Sequence, residues 1–259
     1  MSRPLVTLGV SLKMYFGYQQ TLGWSRAIAS LLREHPRVRG GDIEVFVIPS
    51  FPMLAATLEI FQGLAAVGAQ DLAWEDEGAW TGEVSPRVLA EMGCQVAEIG
   101  HAERRRYFAE TDRQIADKTA AAWRNGLTPV LCLGETREGS VAEAVAVCKG
   151  QLATALAPAQ AAGLSGDVIL AYEPQWAIGA AEPASPSYIA EVCQQLRRNG
   201  ARVIYGGSAK PGLLTQLGGQ ADGLFLGRFA HDPHAFAAIL EEAAVQCTQP
   251  REAQSCRSA

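Results

Sequence analysis

The chain has 259 residues, a net charge of −5 and a hydrophobic fraction of 48%, which is normal for a single closed α/β barrel. No long block of Lys or Arg is present, which argues against nucleic-acid binding, and no run of about 18 apolar residues predicts a membrane-spanning helix. The six cysteines include no C-x-x-C pair, and His231 and His234 have no third ligand near them in sequence. We therefore expect a cytoplasmic protein with reduced thiols and no metal.

Short, nearly continuous apolar runs recur along the chain and predict strands buried on both faces of a parallel sheet. In chain order the predicted strands are residues 6–13, 44–48, 64–70, 95–100, 128–133, 168–172, 202–205 and 223–226. Amphipathic segments between them predict helices, the clearest at residues 21–33, 112–125, 141–156, 188–199 and 233–244.

This alternation predicts a single (β/α)₈ barrel over residues 1–247. An open, doubly wound sheet is the competing architecture, but the Gly-rich turn that often follows its first strand is missing. Residues 248–259 are polar and lack periodicity, so we expect a disordered tail.

Three polar side chains are predicted at the C-terminal ends of different strands, which meet at one mouth of such a barrel. Lys13 stands at the end of the first strand, His101 at the end of the fourth and Glu173 at the end of the sixth. Each has an ordinary interpretation by itself, as a solvated lysine, a structural histidine or a turn glutamate. Their convergence favours a catalytic site that combines a cation, an imidazole and a carboxylate.

Two Gly-rich turns follow the seventh and eighth strands, at residues 206–208 and 223–227. Glycine permits close approach of the backbone, and a following short helix offers N–H groups to an anion. The turns therefore predict a phosphate site, with Gly179 as a further N–H donor. Two ordinary tight turns are the alternative.

Five segments together resemble the triosephosphate isomerase family, in the right order from the first strand to the last. They are residues 78–83 (GAWTGE), 100–105 (GHAERR), 131–136 (LCLGET), 171–179 (AYEPQWAIG) and 205–208 (YGGS). The resemblance implies a TIM barrel that isomerises a small phosphosugar without a metal or an organic cofactor.

The resemblance also implies a role for each matching residue. Glu173 corresponds to the base that moves a proton between neighbouring carbons, and His101 to the neutral electrophile that polarises the carbonyl. Lys13 corresponds to the cation that offsets the charge of the enediolate, and Glu103 to a carboxylate beside that lysine. Residues 174–182 resemble the lid over the intermediate.

The family is typically a homodimer in which the loop after the third strand reaches the neighbour's active site. Here that loop is residues 71–83, from Asp71 to Glu83, and its length suggests a function. Thr81 is the expected tip residue of this loop.

Departures from the family pattern cluster around the substrate. Ser11 replaces Asn and Ala102 replaces Ser, which shortens two side chains near the reacting carbons and removes hydrogen-bonding groups. Arg228 replaces the second of two adjacent glycines, and a bidentate contact from it would reinforce phosphate binding. The lid's C-terminal hinge reads Ala180, Ala181 and Glu182. The residues expected to bind substrate are Ser11, Gly179, Ser208, Gly227 and Arg228.

These departures leave the substrate open. The main hypothesis is interconversion of dihydroxyacetone phosphate and glyceraldehyde 3-phosphate, as in glycolysis and gluconeogenesis, because that activity is the commonest in the family. The alternative is a four-carbon ketose phosphate, L-erythrulose 1-phosphate or D-erythrulose 4-phosphate, whose extra hydroxymethyl group suits the shortened side chains. An inactive barrel that only binds a phosphosugar is a third possibility, which the presence of a base argues against.

Overall fold

Eight parallel strands form a closed barrel in which each strand pairs with its neighbours in sequence and β8 pairs with β1. The structure is a computed structural model and describes residues 4–178, 184–197 and 201–248. The strands are β1 (Val6–Ser11), β2 (Ile43–Ile48), β3 (Ala66–Ala69), β4 (Val96–Ile99), β5 (Thr128–Leu133), β6 (Ile169–Tyr172), β7 (Arg202–Tyr205) and β8 (Gly223–Leu226). The predicted (β/α)₈ barrel is confirmed.

Helices surround the barrel. They are α1 (Tyr18–Glu34), α2 (Pro36–Arg39), α3 (Leu54–Phe61), α4 (Pro86–Glu91), α5 (Ala102–Phe108), α6 (Asp112–Arg124), α7 (Val141–Ala161), α8 (Pro186–Arg197), α9 (Leu213–Gln216) and α10 (Pro233–Gln246). The five predicted helices correspond to α1, α6, α7, α8 and α10. The shorter ones escaped prediction because four to eight residues show too little periodicity. Capping boxes fix the starts of α6 at Thr111 and α7 at Ser140.

The barrel interior is filled by side chains that alternate along the strands with those facing the helices. Gly9 leaves room for two aromatic rings, since a Cβ atom there would lie 2.1 Å from Phe46 and 2.8 Å from Phe225. The buried residues of this inner cluster are Phe46, Ile48, Val96, Val130, Cys132, Ile169, Ala171, Ile204 and Phe225. The barrel is therefore a packed core, and a ligand can enter only at its ends.

The predicted strand ends need one correction. β1 ends at Ser11 and β4 at Ile99, so Lys13 and His101 each lie two residues beyond a strand rather than at its last position. Such positions belong to the loops at the C-terminal mouth. Gly179 and the hinge residues Ala180, Ala181 and Glu182 lie outside the described residues, as does the predicted tail after Thr248.

No helix within the described ranges has the length and apolarity needed to span a bilayer. Within the same ranges, no group of three or more His, Cys, Asp or Glu side chains is arranged to hold a metal ion. His231 packs its ring against Tyr15 and Phe16, with centroid distances of 5.2 and 4.5 Å, while His234 is exposed on α10. The two histidines thus have separate surroundings.

Candidate active site

Glu173 occupies a position at the end of β6 that two glycines make possible. Its backbone N–H donates to the carbonyl of Leu133 at 2.8 Å and so continues the pairing of β5 with β6. A Cβ atom at Gly134 would lie 1.8 Å from the Glu173 carbonyl oxygen. A Cβ atom at Gly206 would lie 2.7 Å from both Cγ and Oε1 of Glu173. Gly206, predicted as part of a phosphate turn, therefore makes room for the carboxylate.

His101 presents a neutral imidazole to this carboxylate. The backbone N–H of Glu103 donates to His101 Nδ1 at 3.1 Å, so Nδ1 is an acceptor and the ring proton lies on Nε2. Nε2 is 3.5 Å from Glu173 Oε2. Burial, together with the charge of Lys13, lowers the pKa of His101 to about 4. The ring can thus donate a hydrogen bond to a substrate oxygen without being charged.

Lys13 sits in a strained backbone conformation, with φ of 49°. Two side chains hold it there, because Ser50 Oγ and Gln70 Nε2 donate to its carbonyl oxygen at 2.7 and 2.9 Å. The ammonium group donates to Glu103 Oε1 at 2.8 Å. Burial opposes the charge of Lys13, but the bond and charge of Glu103 outweigh it and raise the lysine pKa. Lys13 therefore stays cationic at the mouth.

Glu98 is a buried carboxyl group that the sequence analysis overlooked. It lies on β4, two residues after the inward-facing Val96, and is 3% exposed. Ser11 Oγ donates to its Oε2 at 2.8 Å, and its Oε1 is 3.9 Å from His101 Nε2. A charged residue within an otherwise apolar predicted strand was the signal that should have identified it.

Burial dominates the electrostatics of the two inward-facing carboxyl groups. It raises the pKa of Glu98 to about 7, although Ser11 and Lys13 favour the ionised form. Burial and, to a lesser degree, the charge of the nearby Glu98 raise the pKa of Glu173 to about 8, while Lys13 opposes the rise. Glu173 Oε2 is buried and has no hydrogen-bond partner among the described residues. This oxygen is available for a proton from a substrate.

The predicted phosphate turns are neighbours at the same mouth, because Tyr205 of β7 is in register with Leu224 of β8. Ser208 is half-buried in the first turn. Gly227 precedes a short 3₁₀ helix in the second, and Arg228 begins that helix with an exposed side chain. The turns lie on the far side of the barrel from β4 in the closed order of eight strands.

One carboxylate oxygen of Glu135 accepts three hydrogen bonds, from donors before, within and after the lid segment (residues 174–182). Its Oε1 accepts from Tyr172 at 3.1 Å, from Trp176 at 2.8 Å and from Tyr188 at 3.0 Å. Tyr172 ends β6, Trp176 lies in a 3₁₀ helix at the start of the lid segment, and Tyr188 belongs to α8 beyond it. This role of Glu135 was not predicted.

The loop 71–83 is irregular but anchored. The N–H of Ala73 donates to the carbonyl of Val84 at 2.9 Å, and Arg124 of α6 bonds Asp76 at 2.8 Å. Thr81, at the predicted tip, is exposed. The anchors at its base leave the tip free to contact another molecule.

A buried ion network holds the first residue of this loop. Lys118 of α6 donates to Asp71 Oδ1 at 2.6 Å and to Glu110, and Arg104 Nη2 lies 2.7 Å from Asp71 Oδ2. The Lys118 side chain is only 4% exposed, so these carboxylates take the place of water around its ammonium group. The network fixes the loop to the helices that follow β4.

Sequence comparison agrees with this arrangement of residues at the mouth. The family model described as triosephosphate isomerase matches residues 6–243. The chain belongs to the triosephosphate isomerase family. It is an isomerase of small phosphosugars, as the resemblance of its motifs predicted.

Individual members of the family match over nearly the whole chain. An L-erythrulose-1-phosphate isomerase of Pectobacterium atrosepticum is 59% identical and covers 94% of this chain and 97% of its own length. A protein of the same name from Rhizobium etli is 39% identical and covers 98% of both chains. The crystal structure of triosephosphate isomerase from Bartonella henselae superposes with a TM-score of 0.76 at 26% identity, covering 94% of this chain and 100% of that one.

Proposed function

We propose that this isomerase interconverts L-erythrulose 1-phosphate and D-erythrulose 4-phosphate through an enediol. The observation that carries the proposal is the 59% identity, over 94% of the chain, to a relative named for that first substrate. The triose enzyme of known structure is only 26% identical. The relatives thus favour the four-carbon substrate over the triose. Because the assignment to glycolysis was based on the triose, it loses its support as well.

We assign the proton transfer between carbons to Glu173. As the carboxylate, it removes the proton from C3 of L-erythrulose 1-phosphate while the C2 carbonyl oxygen gains one, which gives the C2–C3 enediol. Glu173 then returns its proton to C2, and the C3 hydroxyl loses its own to become the carbonyl. The product is D-erythrulose 4-phosphate when numbered from the other end. The unpartnered Oε2 of Glu173 supports this assignment.

His101 and Lys13 act on the oxygens in this proposal. His101 Nε2–H faces the space beside Glu173, where it polarises a carbonyl and exchanges protons with the two enediol oxygens. Lys13 supplies a fixed positive charge against the developing enediolate. Glu103 positions both groups, because its carboxylate binds Lys13 and its N–H binds His101.

The phosphate group is assigned to the β7 and β8 turns, with Ser208, Gly227 and Arg228 as its contacts. Their common location at one side of the mouth supports this assignment. Gly179 stays in the proposal as a fourth contact on the evidence of sequence alone.

The test of the proposed function is a comparison of kcat/KM on dihydroxyacetone phosphate and on L-erythrulose 1-phosphate with one enzyme preparation. We expect the four-carbon substrate to be preferred. Turnover of the triose near the diffusional ceiling of roughly 10⁸ M⁻¹s⁻¹ would contradict the proposal. The double change Ser11→Asn and Ala102→Ser should reduce activity on the four-carbon substrate more than on the triose.

A homodimer through residues 71–83 is proposed as well. Thr81 is exposed and Trp80 beside it is 43% exposed, which is unusual for so large an apolar side chain unless a partner covers it. Sedimentation velocity at micromolar concentration should give a dimer, and Trp80→Glu should shift it to monomer. A wild-type monomer at these concentrations would refute this assembly.

A further inference from the structure

Burial of the Glu98 carboxyl group destabilises the folded protein, and the chemistry described so far does not use this group. It points into the apolar inner cluster of the barrel, between Val96 and the mouth. The described partners of its two oxygens are the neutral Ser11 hydroxyl and, at 3.9 Å, the neutral His101 ring. A buried carboxylate without a cation in contact destabilises a fold, and an apolar side chain would fill the position at lower cost. Its presence therefore calls for a ligand.

The location of Glu98 relative to the reaction identifies which part of a ligand it meets. The reacting carbons must lie beside both Glu173 Oε2 and His101 Nε2, which are 3.5 Å apart. With the phosphate at the β7 and β8 turns, the unphosphorylated end of the substrate points to the opposite wall. β4 forms that wall, and Glu98 Oε1 is the carboxylate oxygen that faces His101 Nε2.

We infer that the Glu98 carboxylate, held by Ser11, binds the terminal hydroxymethyl group of the four-carbon substrate. The inference rests on the proposed function, since a triose phosphate ends one carbon short of this wall. Ser11 fixes Oε2 with its hydrogen bond, which directs Oε1 towards the substrate. The substrate's C4 hydroxyl donates to Oε1, a charge-assisted bond stronger than a neutral one.

This arrangement explains why a serine rather than an asparagine stands beside Glu98. Asn in place of Ser11 would occupy space between β1 and β4, so the shorter serine makes room for a carboxylate and an extra carbon. It also explains discrimination against trioses, because a triose leaves the charged acceptor buried and unsatisfied. Sites built to hydrogen-bond a hydroxyl reject analogues without it by far more than a missing methylene would allow.

The experiment compares L-erythrulose 1-phosphate with its 4-deoxy analogue, which keeps the fourth carbon but lacks the hydroxyl. For the wild-type enzyme we expect kcat/KM to be about 10⁴-fold higher for the hydroxylated substrate. In Glu98→Leu this ratio should fall at least tenfold. Glu98→Gln, which keeps size and can still accept a hydrogen bond, should show a smaller fall and provides the test if the leucine variant does not fold. Ile48→Val, a change at another inward-facing position, serves as control and should leave the ratio unchanged.

Two outcomes separate this inference from the function on which it rests. If the wild type isomerises L-erythrulose 1-phosphate but the Glu98 variants lose the same factor on both compounds, the hydroxyl contact is wrong and Glu98 acts on the base or on the fold. If the wild type isomerises dihydroxyacetone phosphate and neither four-carbon compound, the proposed function itself fails.

Discussion

Replacing Glu98 by Gln should make the protein more stable at alkaline pH. The folded state holds the pKa of Glu98 at about 7 against an ordinary value of 4.5, because burial disfavours the charge. Between pH 4.5 and about pH 7 the folded state binds more protons than the unfolded state. The contribution of Glu98 to the free energy of unfolding therefore declines as the pH rises. The amide keeps the size and the acceptor for Ser11 but cannot ionise.

The size of the effect follows from the pKa. The penalty from Glu98 grows by about 2–3 kcal/mol between pH 5 and pH 8, since each pH unit over which the two states differ by one bound proton is worth about 1.4 kcal/mol. The free energy of unfolding of Glu98→Gln, relative to the wild type, should therefore increase by that amount over this range. Groups that titrate alike in both proteins cancel in this difference, which therefore reports Glu98 and the carboxyl group coupled to it, Glu173.

Urea unfolding at a fixed protein concentration measures this difference at each pH. Glu59→Gln, which neutralises an exposed carboxylate on α3, is the matched control and should show no such increase. A difference between Glu98→Gln and the wild type that stays constant within about 0.5 kcal/mol from pH 5 to pH 8 would refute the reasoning. Glu98 would then be solvated or paired in solution.

Further predictions concern the base, its surroundings and the ion network. Glu173→Gln should lower kcat by about 10³-fold with an unchanged circular dichroism spectrum, whereas an inactive binding barrel would show no change. Gly206→Ala should lower kcat by about 10²-fold in steady-state assays, because the new Cβ lies 2.7 Å from the Glu173 carboxylate; an unaffected kcat would contradict this geometry. In a plot of kcat/KM against pH, activity should fall on the acidic side as Glu173 is protonated. In Glu98→Gln this fall should occur at lower pH, because the variant lacks a negative charge that raises the pKa of Glu173. Coincident plots for the variant and the wild type would contradict this coupling. Lys118→Met should cost about 3–5 kcal/mol in urea unfolding, since Asp71 and Glu110 stay buried, and a cost below about 1 kcal/mol would indicate solvation.

The barrel could be predicted from the sequence because its signal is repeated. Eight apolar runs, each followed by a long connection, leave few alternative architectures. The exact end of β1 could not be predicted, because Lys13 adopts a left-handed conformation that depends on hydrogen bonds from Ser50 and Gln70. Both donors lie just beyond other strands, β2 and β3, so no local pattern records them.

Within the site, the residues that could be predicted from the sequence are those whose chemistry is evident from their side-chain type and from a family motif. Glu173, His101 and Lys13 belong to that group, and the structure brings them to one mouth. Their roles stay predictions until the variants are measured. Glu98 was missed because strand patterns average over neighbouring residues, and its apolar surroundings conceal one charge. Gly206 was assigned to the phosphate because a sequence does not show which side chain a glycine accommodates.

The three hydrogen bonds on Glu135 have a consequence for substitutions around the lid segment. Tyr172 and Tyr188 stand outside the segment, whereas Trp176 and Gln175 contribute from within it, the latter through an N–H that donates to the Glu135 carbonyl at 2.9 Å. Hence the attachment of the described flanks depends on one residue after β5. A substitution at Glu135 would leave Tyr172, Trp176 and Tyr188 without their shared acceptor, and so would loosen β6, the start of the segment and α8 together.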